Sequence, residues 1–242
     1  MCTLTVLRTN ETLTLTMNRD DAPARAEAPP RVWREGAPDF AAPIDLEAGG
    51  TWIGVNSAGV AACLLNRYDE AARGARSRGE IVPRALGGQD LTDAAAAVAA
   101  IAHSQYSPFT CLIVAEDGAL RFDWNGDAIA EQLLCVQRPL MMTSSSWRFE
   151  AVAAWRGALF EDTLAATDAG PVALSDFHCA LRPGEEAWAP MMRRDYAHTK
   201  SVTQIVIGKD DIELRYWPRE QALQRGLSRS THVMGLRRKV MA

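Results

Sequence analysis

The sequence predicts an α+β fold, and three observations carry that prediction. Short β-branched or apolar runs separated by turn residues recur along most of the chain. Two or three segments read as helices able to cover sheet faces. No internal repeat and no break in composition divides the 242 residues, which are 48% hydrophobic and 23% charged, so residues 1–242 are expected to form a single domain.

The elements follow in order. Thr3 to Leu7 and Thr12 to Met17 are β-branched runs. The second alternates Leu13, Leu15 and Met17 on one face with Thr12, Thr14 and Thr16 on the other, the period of a strand. With Thr9-Asn10-Glu11 as the turn, they form a hairpin. A three-residue loop sets Cys2 opposite Asn18, and a loop one residue longer sets it opposite Arg19. Five of the twelve prolines fall between Ala22 and Ala48, which predicts an irregular excursion. A second hairpin runs from Thr51 to Asn56 and from Val60 to Leu65 around Ser57-Ala58-Gly59, ending at Asn66.

Tyr68 to Gly79, with Glu70, Arg73, Arg76, Arg78 and Glu80 in or beside it, reads as a charged loop or frayed helix. Thr92 or Asp93 is expected to cap an alanine-rich helix ending near His103. Strands are expected over Phe109 to Ala115, Ala119 to Trp124 and Leu133 to Gln137, then a helix from about Glu150 to Ala166. Ser201 to Ile207 and Ile212 to Trp217 form a closing hairpin. His178 and Cys179 are taken as strand neighbours that point to opposite faces. Arg225, Arg229, Arg237, Arg238 and Lys239 are read as a solvated basic terminus.

Composition also excludes. A formal net charge of −4 gives no general attraction to nucleic acid or to anionic membrane. The longest apolar run, Ala94 to Ala102, is too short to span a bilayer, and no secretory signal pattern opens the chain. A cytoplasmic protein with a small-molecule substrate or ligand is expected, its oligomeric state unreadable. The five cysteines, Cys2, Cys63, Cys111, Cys135 and Cys179, are widely spaced and lack C-x-x-C, so neither disulfides nor a zinc site is expected. The motifs for nucleotide binding, dinucleotide redox chemistry, serine esterases and zinc proteases are missing, and no metal or cofactor is expected.

Cys2 is the residue that carries chemistry. An initiator methionine is normally trimmed before a small residue, which leaves a thiol and an α-amine on one residue. That amine has an ordinary pKa of about 7.7–8.0 and serves as a base for its own thiol. The hairpin brings Asn18-Arg19-Asp20-Asp21 beside it, where positive charge favours the thiolate and a carboxylate orients an ammonium. Asn66, an amide closing an apolar strand, is a candidate oxyanion donor. Trp52 is a candidate pocket residue beside the proline-rich excursion.

Met1-Cys2, Asn18-Arg19-Asp20-Asp21, Gly49-Gly50-Thr51-Trp52-Ile53-Gly54, Gly59, Asn66-Arg67 and Ser77-Arg78-Gly79 resemble, in this order, the NRDE family, which includes the transport and Golgi organisation proteins. Asp21 stands where that family usually has Glu. The family in turn is similar to the cysteine N-terminal nucleophile hydrolases, such as bile salt hydrolase and penicillin acylase. The resemblance implies a four-layer αββα sandwich with Cys2 as nucleophile, Arg19 and Asp21 orienting the thiol and amine, and Asn66 holding the oxyanion. Asn18 and Asp20 would line the substrate site.

Two positions depart from the hydrolases. Met142-Thr143-Ser144-Ser145-Ser146 aligns with their Thr-Asn and leaves Ser144 in place of the amide. Lys200 stands near their arginine and lacks its bidentate fork. The implied activity is hydrolysis or acyl transfer on a non-peptide amide or thioester. The alternative is a carrier for haem or acyl-coenzyme A, since eukaryotic relatives are linked to haem trafficking.

Overall fold

In the computed structural model, which describes residues 1–34, 38–68, 73–166, 171–228, 230 and 232–238, two antiparallel sheets stack face to face between helices. The first has the strand order β10-β1-β2-β11-β12-β13 and the second β3-β4-β5-β6-β7-β8-β9. In chain order the elements are β1 (Cys2–Arg8), β2 (Leu13–Asp21), β3 (Glu27–Trp33), β4 (Phe40–Asp45), β5 (Ile53–Asn56), β6 (Ala61–Asn66), α1 (Ile81–Leu86) and α2 (Leu91–Ala99). β7 (Phe109–Ala115), β8 (Gly118–Trp124), β9 (Ile129–Leu134), β10 (Leu140–Ser144), α3 (Phe149–Ala166) and α4 (Pro171–Cys179) follow. β11 (His198–Ile207), β12 (Asp211–Pro218), α5 (Arg219–Arg225) and β13 (His232–Arg237) complete the order.

Alternation along the strands builds the layers. Leu4, Val6, Leu13, Leu15 and Met17 of the first sheet pack against Ile53, Val55, Cys63, Leu65 and Leu112 of the second, and this inter-sheet core also takes in Cys2. The opposite face of the second sheet, with Ala62, Leu64, Cys111 and Ile113, is covered by Ile81, Val82 and Leu86 of α1 and by Ala94 and Val98 of α2. On the other side Leu7 of β1 packs on Phe160 of α3 and on Leu174 and Phe177 of α4. The αββα sandwich expected from the resemblance is therefore the observed architecture.

The threonines that alternate with this core face the α3–α4 layer, where they are buried and polar. Thr5 Oγ1 lies 2.7 Å from His178 Nε2, and the other His178 ring nitrogen meets Asn18 Oδ1. Asn18 Nδ2 donates to the carbonyls of His178, at 2.9 Å, and Pro190, at 3.0 Å. Burial, with the Arg156 charge adding to it, drives the His178 pKa from 6.5 to about 3. The folded protein therefore excludes a proton that the unfolded chain binds below pH 6.5. Stability is fully present above that value and declines as the pH falls toward 3, by about 2 kcal/mol between pH 7 and pH 5. Urea denaturation at the two pH values should show this slope in the parent and not in His178→Gln.

Several expectations are corrected. Residues Ala22 to Ala48 are no irregular excursion: they contain the β3–β4 hairpin. Pro29 and Pro30 are tolerated because β3 is an edge strand and its register shifts between Ala28 and Arg31. Asp90, whose side chain accepts from Asp93 N–H at 2.8 Å, caps α2 in place of Thr92 or Asp93, and His103 lies in a separate 3₁₀ turn. The strand expected at Leu133 to Gln137 is β9, shifted toward the N-terminus, and Met142 to Ser144 lie in β10. His178 and Cys179 end a helix. Past the closing hairpin, the basic terminus forms α5 and β13. Ile81 to Leu86, just past the charged loop or frayed helix expected at Tyr68 to Gly79, is α1. Glu70, Arg229 and Lys239 lie outside the described residues.

Candidate active site

Loop length sets the geometry at Cys2. Thr9 to Thr12 form the β1–β2 turn, closed by Thr9 N–H donating to Thr12 O at 2.8 Å, so Arg8 pairs with Leu13 and Cys2 with Arg19. This is the longer-loop register. On its other side Cys2 pairs with Ser144 of β10, whose Oγ accepts the Cys2 backbone N–H at 3.1 Å. Cys2 is thus the first residue of a central strand, flanked by a guanidinium and a hydroxyl.

Arg19 is held from several sides. Its guanidinium pairs with Asp21 at 3.3 Å, with Asp45 at 3.0 Å and with Glu27, and stacks over Trp52 with its carbon 4.2 Å from the ring centroid. Arg25 reaches Asp45 at 2.8 Å and Asp21 at 3.4 Å. Burial works against a charge at Asp45. The bonds from Arg25 and from Ala48 N–H, together with Arg19, nevertheless hold its carboxyl below the usual value. Tyr216 O–H donates to Glu27 at 2.7 Å, tying β12 to β3 across the sandwich. A charge network of this kind fixes side-chain direction more than it adds stability.

Asp20 points the other way. Its Oδ1 accepts from Thr199 Oγ1 at 2.6 Å and its Oδ2 lies 3.8 Å from Arg156. Burial raises its pKa; Arg156, the N-terminal ammonium and the Thr199 bond oppose the rise. Its backbone binds Met1, with Asp20 N–H donating to Met1 O at 3.0 Å and Asp20 O accepting from the Met1 ammonium at 3.2 Å. The Tyr68 side-chain hydroxyl oxygen also accepts from that ammonium, at 3.0 Å. Burial disfavours the charge, yet Cys2, Tyr68 and Asp20 together raise its pKa from 8.0 to about 10. The Met1 sulfur packs in a pocket with Met192 and Ala197 and takes contacts from Arg194 at 2.8 Å and Ser146 at 3.4 Å. The Cys2 thiol is buried, which raises its pKa; the neighbouring ammonium, the Asp20 backbone N–H and Arg19 pull it back.

A cavity of about 440 Å³ brings together Cys2, Arg19, Asp20, Asp21, Trp52 and Asn66. Asn66, at the end of β6, also lines a second cavity of about 510 Å³, with Leu65, Met141, Met142, Ser144 and Phe149. Its Nδ2 donates to the Tyr68 side-chain hydroxyl oxygen at 3.4 Å. Two sequence candidates are not brought to either cavity. The Asn18 side chain faces α4, because it falls on the threonine side of β2, and Lys200 Nζ donates to Pro23 O at 2.7 Å at an exposed position.

Other residues at the site had no role in the sequence reading. Glu27 and Asp45 lay hidden in the proline-rich stretch, and Tyr68, Arg156 and Arg194 were unmarked. Arg156 had one legible signal. It sits between Val152 and Phe160 at a spacing of four, on the buried stripe of α3, where a cation needs partners.

Three comparisons bear on this arrangement. The family model described as Transport and Golgi organisation 2 matches residues 1–145. No curated protein sequence matches the chain. Among solved structures, a Caenorhabditis elegans N-acylethanolamine-hydrolyzing acid amidase ortholog is 14% identical with a TM-score of 0.60, over 84% of this chain and 92% of its own. Penicillin V acylase from Agrobacterium tumefaciens is 12% identical with a TM-score of 0.53, over 90% and 84%. A mutant of the conjugated bile acid hydrolase from Clostridium perfringens is 9% identical with a TM-score of 0.52, over 100% and 97%. At these identities the likeness establishes the fold, that of the N-terminal nucleophile hydrolases. The family match spans more than half of the chain, in the part that contains Cys2, Arg19 and Asn66, and the chain belongs to the Transport and Golgi organisation 2 family.

Proposed function

We propose that the protein is a cysteine N-terminal nucleophile hydrolase or acyltransferase acting on a non-peptide amide or thioester. The observation that supports this most is the placement of Cys2 at the head of a central strand, with its backbone nitrogen on Ser144 Oγ and its side chain at a cavity shared with Asn66. Met1 is buried in the folded chain, so its removal by a methionine aminopeptidase would precede folding. The Cys2 nitrogen then becomes an amine held by Ser144.

In the reaction the amine accepts the thiol proton and Sγ bonds to the substrate carbonyl carbon. The carbonyl π pair moves to oxygen, where Asn66 Nδ2 donates to it. The tetrahedral species collapses, the bond to the leaving amine or thiol breaks, and the ammonium returns the proton to that group. Water, or an acceptor amine in acyl transfer, then attacks the thioester by the same route and frees Cys2. Arg19 positions the site through its carboxylates and Trp52.

Incubation with a panel of acyl amides and thioesters, read by intact mass, tests the reading. An acyl increment on Cys2 followed by product release supports it. Stoichiometric ligand retention without an adduct, unchanged in Cys2→Ala, would instead establish a carrier. Asn66→Ala is expected to lower kcat by about 10²–10³ with a smaller change in KM, since the amide binds charge that develops in the transition state. Steady-state kinetics on the best substrate of the panel checks this.

A further inference from the structure

Among the described residues, the polar cavity beside Cys2 is lined by four arginines, and three of them are matched by carboxylates. Arg19 has Asp21, Glu27 and Asp45, Arg25 has Asp21, Asp45 and Glu47, and Arg76 has Glu80. Arg78 differs. No carboxylate among the described residues lies within ion-pair distance of it, and its guanidinium donates one hydrogen bond, to Pro108 O at 2.8 Å. The rest of its planar donor fork is left for the cavity it lines.

Nor is Arg78 a loose surface side chain. Gly79 O accepts from Thr51 N–H at 3.1 Å, Gly79 N–H donates to Ser77 Oγ at 3.2 Å, and Arg76 N–H donates to Gln105 O at 3.0 Å. Gly50 packs so closely on this segment that a Cβ there would stand 2.4 Å from Gly79 O. The backbone on both sides of Arg78 is therefore fixed. Burial lowers its pKa; Tyr68, Cys2 and Asp21 act against that and Arg25 adds to it. A half-buried cation without a counter-charge is unfavourable by itself, and an incoming anion removes the imbalance.

Across Asn66 the neighbouring cavity has an apolar wall, Leu65, Met141, Met142 and Phe149, adaptable surface for a hydrocarbon chain, beside a polar wall that includes Arg67, Arg121, Arg148 and the hydroxyls of Thr143 and Ser144. We propose that Arg78 is the anchor for an anionic group of the substrate, a carboxylate or a phosphate, on the opposite side of the scissile carbonyl from an apolar chain held in the neighbouring cavity. This rests on the hydrolase reading for the position of the scissile bond, while the anchor itself is measurable without turnover.

The experiment uses Cys2→Ala protein and three probes of one chain length: N-decanoylglycine, N-decanoylphosphoethanolamine and the neutral N-decanoylethanolamine. At least one of the two anions should bind about ten- to a hundredfold more tightly than the neutral probe, and the tighter one identifies the anion. Arg78→Gln should bring all three to a common Kd. Arg78→Lys should keep a reduced preference, since it retains charge and loses the fork. Equal binding of the three probes, or a preference that survives Arg78→Gln, overturns the proposal. Turnover by the parent protein is scored separately: a charge preference with no turnover of any probe keeps the anchor and removes the hydrolase.

Discussion

Replacement of Cys2 by alanine is expected to abolish the acyl increment and to reduce turnover by at least about 10³-fold. In the proposed reaction every step passes through one atom, because Sγ forms the covalent bond to substrate. The hydroxyls that share the cavity, Thr51, Ser77 and Ser107, are engaged by Ile53 O, Gly79 N–H and Gly74 N–H and carry no α-amine as base. Removing the nucleophile of a catalytic unit costs about as much as removing the entire unit, because its partners then have nothing to activate. The fold should survive. Cys2 occupies a small apolar place in the inter-sheet core and alanine fits within it. Alanine is also small enough for Met1 removal to continue, so the variant isolates the thiol from the processing step. Circular dichroism and steady-state kinetics on the same sample check both halves of the expectation.

The largest effect on stability is expected at Arg156. This side chain is fully buried between α3 and the first sheet. It donates to Thr3 Oγ1 at 2.5 Å, to Thr143 Oγ1 at 2.8 Å, and to the carbonyls of Trp188 at 2.8 Å and Ala189 at 2.9 Å. It also stands 3.8 Å from the Asp20 carboxylate. Arg156→Met keeps much of the volume and leaves two carbonyls without donors and Asp20 without its cation. Breaking a buried pair in this way costs about 3–5 kcal/mol. Denaturant titration should show that loss. Because Thr3 and Thr143 flank Cys2 and Ser144 in the sheet, the alignment of the nucleophile should loosen with it.

The strand pairs were legible where one face is apolar and the other is not. Leu13, Leu15 and Met17 against Thr14 and Thr16 give β2 by alternation, and the register then follows from the turn alone. The sequence left two loop lengths open, and the hydrogen bond from Thr9 to Thr12 O selects Arg19 as the partner of Cys2. β3 was illegible because its prolines argue against a strand everywhere except at an edge, and being at an edge is a property of the whole sheet. Asn18 shows the same limit at the site. Its neighbours Arg19 and Asp21 turn toward the cavity, and strand alternation sends Asn18 to His178 instead. The charges that pair with Arg19 come from β3 and β4, distant in sequence and marked by no motif, so only the folded chain reveals them.

The central claim is that Cys2 works with a free α-amine, and the mass of the N-terminal peptide of natively expressed protein tests it most directly. A Cys135→Ser background removes the exposed thiol that would otherwise compete for a cysteine-reactive acyl probe. The expected peptide begins at Cys2, lacks Met1, and gains one probe mass on its thiol. A peptide that retains Met1 would contradict it, because the Cys2 nitrogen would then be the amide of the Met1–Cys2 peptide bond, hydrogen-bonded to Ser144, with its lone pair delocalised into the Met1 carbonyl and unable to take the proton.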